Sequence, residues 1–293
     1  MKKYSKTDLI KKRWIKFGII ILLIIIVICV SYIIYINFKN HIVYENINND
    51  AIHISDEKAK ESTPIILNNV VIGATYKKEW VSSTRYYNVS SIKEDSKMRL
   101  FTSKGSAGTF DLELIDKVKS NIIGLTNSTN RTEEYISIIE NENYNYLPMV
   151  KLNSYKTKEK EYKEKIKEAL SMYKILNNTI QINNVYECVL ELGENITLLE
   201  VTSSSENKNG AYSAIVMIDS KGQASLVKYN YINNKEKAED FKIYLIKFVM
   251  DLNNDLKNEL IIQEVDEFET RYSVLEYRNN KFVTVLSEVI KNN

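Results

Sequence analysis

A long run of uncharged, apolar residues near the N-terminus constrains this chain more than any other feature. The run extends from Gly18 to Phe38 and contains no Asp, Glu, Lys or Arg. At a rise of about 1.5 Å per residue, about twenty helical residues cross the roughly 30 Å hydrocarbon core of a bilayer. A single segment in lipid satisfies its backbone hydrogen bonds only as a helix. The sequence therefore predicts a transmembrane helix at residues 18–38.

The charges on either side of this run indicate its orientation. The segment before it carries a cluster of basic residues, namely Lys2, Lys3, Lys6, Lys11, Lys12, Arg13 and Lys16. The segment after it carries Lys39 and then Glu45, Asp50 and Asp56. Because Lys and Arg are retained on the cytoplasmic side, we expect residues 1–17 to be a basic cytoplasmic tail. The expected localisation is the cell membrane, with a single pass into the lipid bilayer and an extracytoplasmic C-terminal part.

Two processed forms of the N-terminus fit the sequence poorly. A cleaved signal peptide has a shorter apolar region, of about 7 to 15 residues, followed by small residues at the cleavage site. A lipoprotein signal needs a small residue before its cysteine, but Ile28 precedes Cys29. We therefore expect an uncleaved signal-anchor.

Charge and cysteine content limit what the extracytoplasmic part does. The chain has 40 basic and 38 acidic residues, and the basic tail holds much of the excess, so the remainder is slightly acidic. That balance argues against a nucleic-acid partner, which requires a clustered basic face. Cys188 is the only cysteine besides Cys29. A disulfide within the outer part is excluded, and we expect Cys188 to be a small buried hydrophobic residue.

The outer part divides by pattern into four segments. Residues 39–63 are polar and contain both histidines, His41 and His53, which is typical of a linker or stalk. Residues 64–150 have short β-like runs, and Ser103 to Gly108 forms a turn signal for a hairpin, so we expect a small α+β or β domain. Residues 151–180 should form an amphipathic helix, and residues 181–293 an antiparallel β domain.

Helical periodicity is clearest between Thr157 and Leu176. Apolar residues recur at helical spacing, namely Tyr162, Ile166, Ala169, Leu170, Tyr173 and Leu176. Charged residues fill the other faces, with pairs such as Glu161 and Lys165 or Glu164 and Lys167 at ion-pair spacing. This pattern predicts a solvated helix that docks through one stripe.

Turn signals at the spacing of an antiparallel meander follow this helix. The predicted strands are 185–192, 196–203, 211–219, 223–231, 243–250, 259–266, 271–277 and 281–288. Asp219 to Gly222 and Arg278 to Lys281 are the strongest hairpin turns, because they contain residues that tolerate the left-handed conformation. The predicted fold class is a transmembrane helix plus an extracytoplasmic α+β part, whose C-terminal half is a β meander. A sandwich, a barrel and a propeller-like arrangement fit this meander equally well.

One loop carries residues with recognisable chemistry. Oxygen-bearing side chains occur at Asp251, Asn253, Asp255 and Glu259, and Lys257 offers a backbone carbonyl, at the spacing that wraps a loop around Ca²⁺. Leu256 occupies a position where glycine is expected, which weakens the fit. The alternative interpretation is a set of Asx turns that shape a tight connection.

This loop resembles the Asp-rich loops of FG-GAP and related propeller-type repeats, which place D-x-[DN]-x-D-G-x-x-[DE] between strands. The stretch from Gly210 to Leu286 also resembles uncharacterised single-pass surface proteins of low-GC Gram-positive bacteria. The resemblance implies a β-rich domain on the cell surface with a weak calcium site.

The sequence contains little that indicates catalysis. Both histidines lie in the predicted linker and the outer cysteine lies in a predicted strand, so a Ser-His-Asp or Cys-His arrangement is not expected. No phosphate-binding glycine loop occurs. We therefore expect a membrane-anchored binding or accessory module for a cell-envelope polymer or a protein partner. The alternative is a membrane-tethered envelope hydrolase with carboxylate catalysts, which need no proximity in sequence. A subunit of a membrane complex is a third hypothesis.

Overall fold

Antiparallel β-strands dominate the computed structural model of the chain. The structure describes residues 61–83, 97–113, 124–125, 133–139, 149–152, 155–175, 179–191, 194–203, 211–232 and 241–291. The predicted tail and transmembrane helix, and nearly all of the predicted stalk, lie outside these ranges. Within these ranges, no helix has the length and apolar character needed to cross a membrane.

The first sheet is built from the N-terminal part of the described chain. Its strands are β1 (Thr63–Leu67), β2 (Val70–Tyr76), β3 (Glu79–Val81), β4 (Lys97–Thr102), β5 (Gly105–Glu113), β6 (Gly124–Leu125) and β7 (Tyr135–Ile139). They lie in the order β3-β2-β1-β7-β4-β5-β6. The hairpin predicted around Ser103 to Gly108 is confirmed, because β4 and β5 pair antiparallel with Thr102 opposite Gly105.

The C-terminal half forms two further antiparallel sheets. The five-stranded sheet has the order β12-β11-β10-β9-β8 and comprises β8 (Val150–Lys151), β9 (Gln181–Val189), β10 (Asn195–Thr202), β11 (Ala211–Ile218) and β12 (Ala224–Ile232). The four-stranded sheet follows chain order and comprises β13 (Ile243–Met250), β14 (Glu259–Val265), β15 (Glu269–Arg278) and β16 (Lys281–Lys291). The predicted meander is thus confirmed, and none of the three sheets closes on itself in the part that the structure describes.

The predicted helix is present but shorter than its periodic pattern. A 3₁₀ turn at Tyr155–Lys158 leads into α1 (Glu159–Met172). Four of the predicted apolar positions are buried, namely Tyr162, Ile166, Ala169 and Leu170. Tyr173 lies beyond the last turn and is 47% exposed, because the chain leaves the helix there and Lys174 adopts a φ of 60°. The helix surface carries ion pairs of Lys163 with Glu159 and of Lys165 with Glu168.

The four-stranded sheet packs on both of the other sheets. One of its faces, including Ile261 and Val274, shares a core with Ile65 of the seven-stranded sheet. Its other face, including Ile262, shares a core with Leu198 of the five-stranded sheet. A strand buried on both faces has a continuous apolar sequence rather than an alternating one. This explains the run Leu260-Ile261-Ile262 in β14.

A separate core lies on the outer face of the five-stranded sheet, where α1 packs through Ile166 against strand residues such as Tyr212. Cys188 lies in β9 and is 8% exposed, so its predicted burial is confirmed. Burial raises the pKa of its thiol to about 12. The thiol is therefore protonated and unreactive near neutral pH.

Polar side chains connect the sheets at their buried faces. Glu200 of β10 accepts hydrogen bonds from the backbone N–H of Ile246 at 2.5 Å and from Asn184 Nδ2 at 2.5 Å. Trp80 of β3 donates its indole N–H to Glu276 of β15 at 3.1 Å. Buried polar groups are costly without such partners. These contacts therefore fix the sheets relative to one another.

Candidate functional site

The loop between β13 and β14 is held in a single shape by its own side chains. Asp251 Oδ1 accepts the N–H of Asp255 at 3.1 Å, and Asp251 Oδ2 accepts the N–H of Leu256 at 2.9 Å. Asn253 Oδ1 accepts the same Asp255 N–H at 3.1 Å. Asn254 and Leu256 take positive φ angles of 59° and 73°. The bond to Asn253 is an Asx turn of the alternative interpretation, whereas the bonds to Asp251 span four and five residues; together they fix the path of the loop.

Glu259 closes the loop from the first position of β14. Its side chain is 0% exposed, and Oε2 accepts the N–H of Leu252 at 2.8 Å. Its other oxygen, Oε1, is buried with no hydrogen-bond partner in the described chain. Burial raises the pKa of Glu259 well above its ordinary value, and the charges of Asp255, Asp251 and Glu276 add to that shift. Burial likewise raises the pKa of Asp251.

The five predicted calcium ligands lie in this loop or, for Glu259, at its end. Their carboxylates are not arranged around a common point. Asp251 and Asn253 direct side-chain oxygens to backbone N–H groups, as does Asp255 to Lys257 at 2.9 Å. Lys257 Nζ pairs with Glu191 at 2.7 Å. Within the described ranges, no group of three or more His, Cys, Asp or Glu side chains is placed to hold a metal ion. A calcium ion bound by Asp251, Asn253, Asp255, Lys257 and Glu259 stays a prediction.

The same loop forms part of the wall of a cleft of about 560 Å³. The loop contributes Leu252, Asn253 and Asn254. The seven-stranded sheet and the segment leading into it contribute the other lining residues, namely Glu61, Thr63, Ile65, Thr75, Tyr76, Lys77, Lys78, Ile138 and Ile139. The cleft therefore has an apolar floor and a polar rim. Seven of the twelve lining residues are polar, which is a larger polar share than a small-molecule site usually has.

The rim of the cleft carries more positive than negative charge. Lys77 and Lys78 form the turn between β2 and β3, and both are exposed. Glu61 is the one acid among the lining residues. Lys77 Nζ lies 5.1 Å from the centroid of the Tyr76 ring. A hydrogen bond with Tyr76 raises the pKa of Lys77, and the charge of Glu61 adds to that shift.

Sequence reasoning identified one wall of this cleft and missed the other. The oxygen-rich spacing of Asp251 to Glu259 singled out the loop. Lys77 and Lys78 escaped notice because a pair of lysines is an ordinary surface feature in sequence. The usable signal was their position between two β-runs, Val70 to Tyr76 and Glu79 to Val81, at the length of a two-residue hairpin turn.

A pair of buried acids lies beside the loop but does not line the cleft. Leu260 pairs with Leu275 in the register of β14 and β15, so Glu259 and Glu276 occupy the next pair of positions. Burial pushes the pKa of Glu276 upward, but hydrogen bonds from Arg278 and Trp80 outweigh burial and hold it below its ordinary value. The two neighbouring acids thus have pKa values shifted in opposite directions.

No protein-family model, curated protein or solved structure matches the chain. The resemblance to Asp-rich propeller loops and to single-pass surface proteins of low-GC Gram-positive bacteria therefore stays a prediction.

Proposed function

We propose that this chain is a membrane-anchored extracytoplasmic module that binds a ligand in the cleft. The observation that carries the proposal is the cleft of about 560 Å³ between the seven-stranded sheet and the Asp251 to Glu259 loop. Ligand sites range from about 300 to 1,000 Å³ and combine an apolar lining with a few placed polar groups. The uncharged run from Gly18 to Phe38 and the basic cluster before it support the membrane anchor.

The rigidity of the cleft wall supports binding. Asp251 and Glu259 hold the backbone from Leu252 to Leu256 through hydrogen bonds of 2.8 to 3.1 Å. A wall that is ordered before the ligand arrives loses less conformational entropy on binding. The two acids thus act as positioning groups for Asn253 and Asn254, which face the ligand.

A variant that fills the cleft tests this proposal. Thr75 lines the cleft from β2 and is half-buried, so the large uncharged side chain of Thr75→Trp should block it. Thr197→Trp on β10 is the matched control, because Thr197 is also half-buried on a strand but does not line the cleft.

The measurement is the unfolding temperature of the full-length protein in detergent, in the presence of envelope polymer fragments and peptides. A ligand at about 100 times its Kd stabilises the folded state by about 2.7 kcal/mol. We expect the ligand to raise the unfolding temperature of the unmodified protein and of Thr197→Trp, but not of Thr75→Trp. A shift that persists in Thr75→Trp would place the binding site elsewhere.

The carboxylate hydrolase is a second candidate function, which the acid pair favours. Pairs of acids with pKa values pushed apart serve as acid and base in many enzymes. However, Glu259 and Glu276 are 0% and 8% exposed, and neither lines the cleft, so binding accounts better for the geometry. If the protein released soluble fragments from envelope polymer, and Glu276→Gln abolished that release, the hydrolase would replace the binding module.

A further inference from the structure

Three hairpin turns of this protein share one backbone conformation. Asn68 and Asn69 have φ angles of 46° and 68°, Lys77 and Lys78 have 45° and 73°, and Asn279 and Asn280 have 52° and 61°. Each pair joins two antiparallel strands as a two-residue loop. Positive φ at both central residues defines the type I′ turn, whose twist matches the flanking strands.

The turn at the cleft differs from the other two in its residues. Asparagine tolerates the left-handed conformation because its short side chain hydrogen-bonds locally, whereas a long side chain such as lysine gains no such compensation. Two of the turns use the favourable pair Asn-Asn. The turn that lines the cleft uses Lys-Lys, which is the less stable choice for the same geometry.

The two lysines at the cleft form no ion pair with a described carboxylate, although the nearby charge of Glu61 helps to raise the pKa of Lys77. Both side chains are exposed, and the ion pairs of the described chain join neither of them to a carboxylate. Lys77 instead lies near the ring of Tyr76. Two positive charges are therefore presented at the rim of the cleft, against the single acid Glu61 among the lining residues.

The opposite wall supplies neutral hydrogen-bond donors. Asn253 is buried and lines the cleft, and its Oδ1 is occupied by the N–H of Asp255. That hydrogen bond assigns Oδ1 as the acceptor and leaves the N–H groups of Nδ2 as donors. Asn254 beside it is exposed and also lines the cleft. Lysine ammonium groups and amide N–H groups together suit an acceptor with several oxygens.

We infer that the cleft binds an anionic oxygen group, a phosphate or a carboxylate of an extracytoplasmic polymer, between Lys77, Lys78 and the amide of Asn253. This inference rests on the proposed function, because it names the ligand class of the same cleft. Charge-assisted hydrogen bonds are stronger than neutral ones, and lysine binds phosphate as a point charge. Since both lysines are exposed, salt screens the interaction and weakens binding.

The three matched turns provide the test. In Lys77→Asn/Lys78→Asn the cleft turn receives the Asn-Asn pair of the other two turns, so the fold should be at least as stable as before. In Asn279→Lys/Asn280→Lys the same two charges are placed on a turn that does not line the cleft. Unfolding temperatures of both full-length variants in detergent verify that they fold.

Binding to sodium polyphosphate, poly-L-glutamate and neutral dextran is then measured at low and at high salt, with Gln in place of the basic residues of the N-terminal tail in every protein, because that tail would itself bind polyanions. We expect the unmodified protein to bind at least one polyanion more tightly than dextran, and more weakly at high salt. Loss of two charge-assisted hydrogen bonds should weaken polyanion binding by about tenfold or more in Lys77→Asn/Lys78→Asn. Asn279→Lys/Asn280→Lys should bind as the unmodified protein does. The preference between the two polyanions distinguishes phosphate from carboxylate.

Other outcomes separate this inference from the proposed function. Polyanion binding that Lys77→Asn/Lys78→Asn leaves unchanged, or the absence of any polyanion binding, would overturn the anionic ligand. If dextran or a neutral peptide then binds and Thr75→Trp blocks that binding, the binding module stands with a neutral ligand. If Thr75→Trp leaves the binding of every ligand unchanged, the cleft itself is not the site and the proposed function fails.

Discussion

At the scale of single residues, Leu256 adopts an unfavourable backbone conformation in the loop beside the cleft. Its φ of 73° places a branched side chain in the left-handed region, which costs on the order of 1 to 2 kcal/mol relative to glycine. Its side chain is 71% exposed, so little burial compensates for that strain. Asn254 has a similar φ of 59° but is a residue that tolerates it.

Leu256→Gly should therefore stabilise the fold. The gain should be about 0.5 to 1 kcal/mol, because relief of the left-handed strain exceeds the extra entropy that glycine gives the unfolded chain. Chemical denaturation of the full-length protein in detergent measures it. Asn254→Gly is the control and should give no gain. A loss of stability in Leu256→Gly would mean that the leucine side chain makes a stabilising contact that outweighs the strain.

At the scale of elements, the buried acids of the β13–β14 loop make the stability of the fold depend on pH. Glu259 accepts the N–H of Leu252, which lines the cleft, and burial raises the pKa of Glu259 well above 4.5. The folded state thus binds this proton more tightly than the unfolded state does. The stability it contributes is fully present below the unfolded pKa and is lost as pH rises through the folded pKa.

Glu259→Gln should remove this part of the pH dependence. We expect the variant to be more stable than the unmodified protein at pH 8, by about 1 to 3 kcal/mol, the cost of a buried group with incomplete hydrogen bonding. The difference should shrink towards pH 4.5. Thermal unfolding between pH 4.5 and pH 8, followed by the fluorescence of the buried Trp80 in a Trp14→Phe background, measures it. A difference that is constant with pH would show that folding does not change the pKa of Glu259.

The contact between β2 and β16 shows how closely two of the sheets approach each other. A Cβ atom added to Gly73 would lie 2.5 Å from Leu286 Cδ1 and 2.8 Å from Cδ2. Leu286 is itself 3% exposed in the core that the two sheets share. The glycine therefore permits the leucine to pack against the backbone of β2.

Gly73→Ala should destabilise the fold by about 1 to 3 kcal/mol, the usual cost of overpacking a core. The same substitution in a Leu286→Ala background should cost less, because the colliding side chain is gone. Denaturation of the four proteins of this double-mutant cycle isolates the coupling between the two positions. Equal costs in both backgrounds would assign the whole effect to the backbone conformation of Gly73.

At the scale of the whole molecule, the sequence predicts local features well and long-range features poorly. The C-terminal strands and the turns at Asp219 and Arg278 are confirmed, because alternation and turn residues are local signals. The stacking of the four-stranded sheet between the other two was not predicted. The apolar run Leu260 to Ile262 indicates burial but does not indicate which sheets pack against it. The cleft was missed for the same reason, because Lys77 and Asn253 are brought together only by that stacking.

The N-terminal sequence predicts the orientation of the whole chain. The uncharged run from Gly18 to Phe38 should anchor the protein, and the basic residues before it should keep the N-terminus in the cytoplasm. Protease added to intact cells should then remove an epitope tag at the C-terminus and leave a tag at the N-terminus protected. Replacement of Lys11, Lys12, Arg13 and Lys16 by Glu is the control, and it should leave part of the C-terminal tag protected, because the charge asymmetry that sets the orientation is lost. A C-terminal tag that is protected in the unmodified protein, or that fractionates with soluble proteins, would contradict the single-pass topology and with it the access of the cleft to an extracytoplasmic polymer.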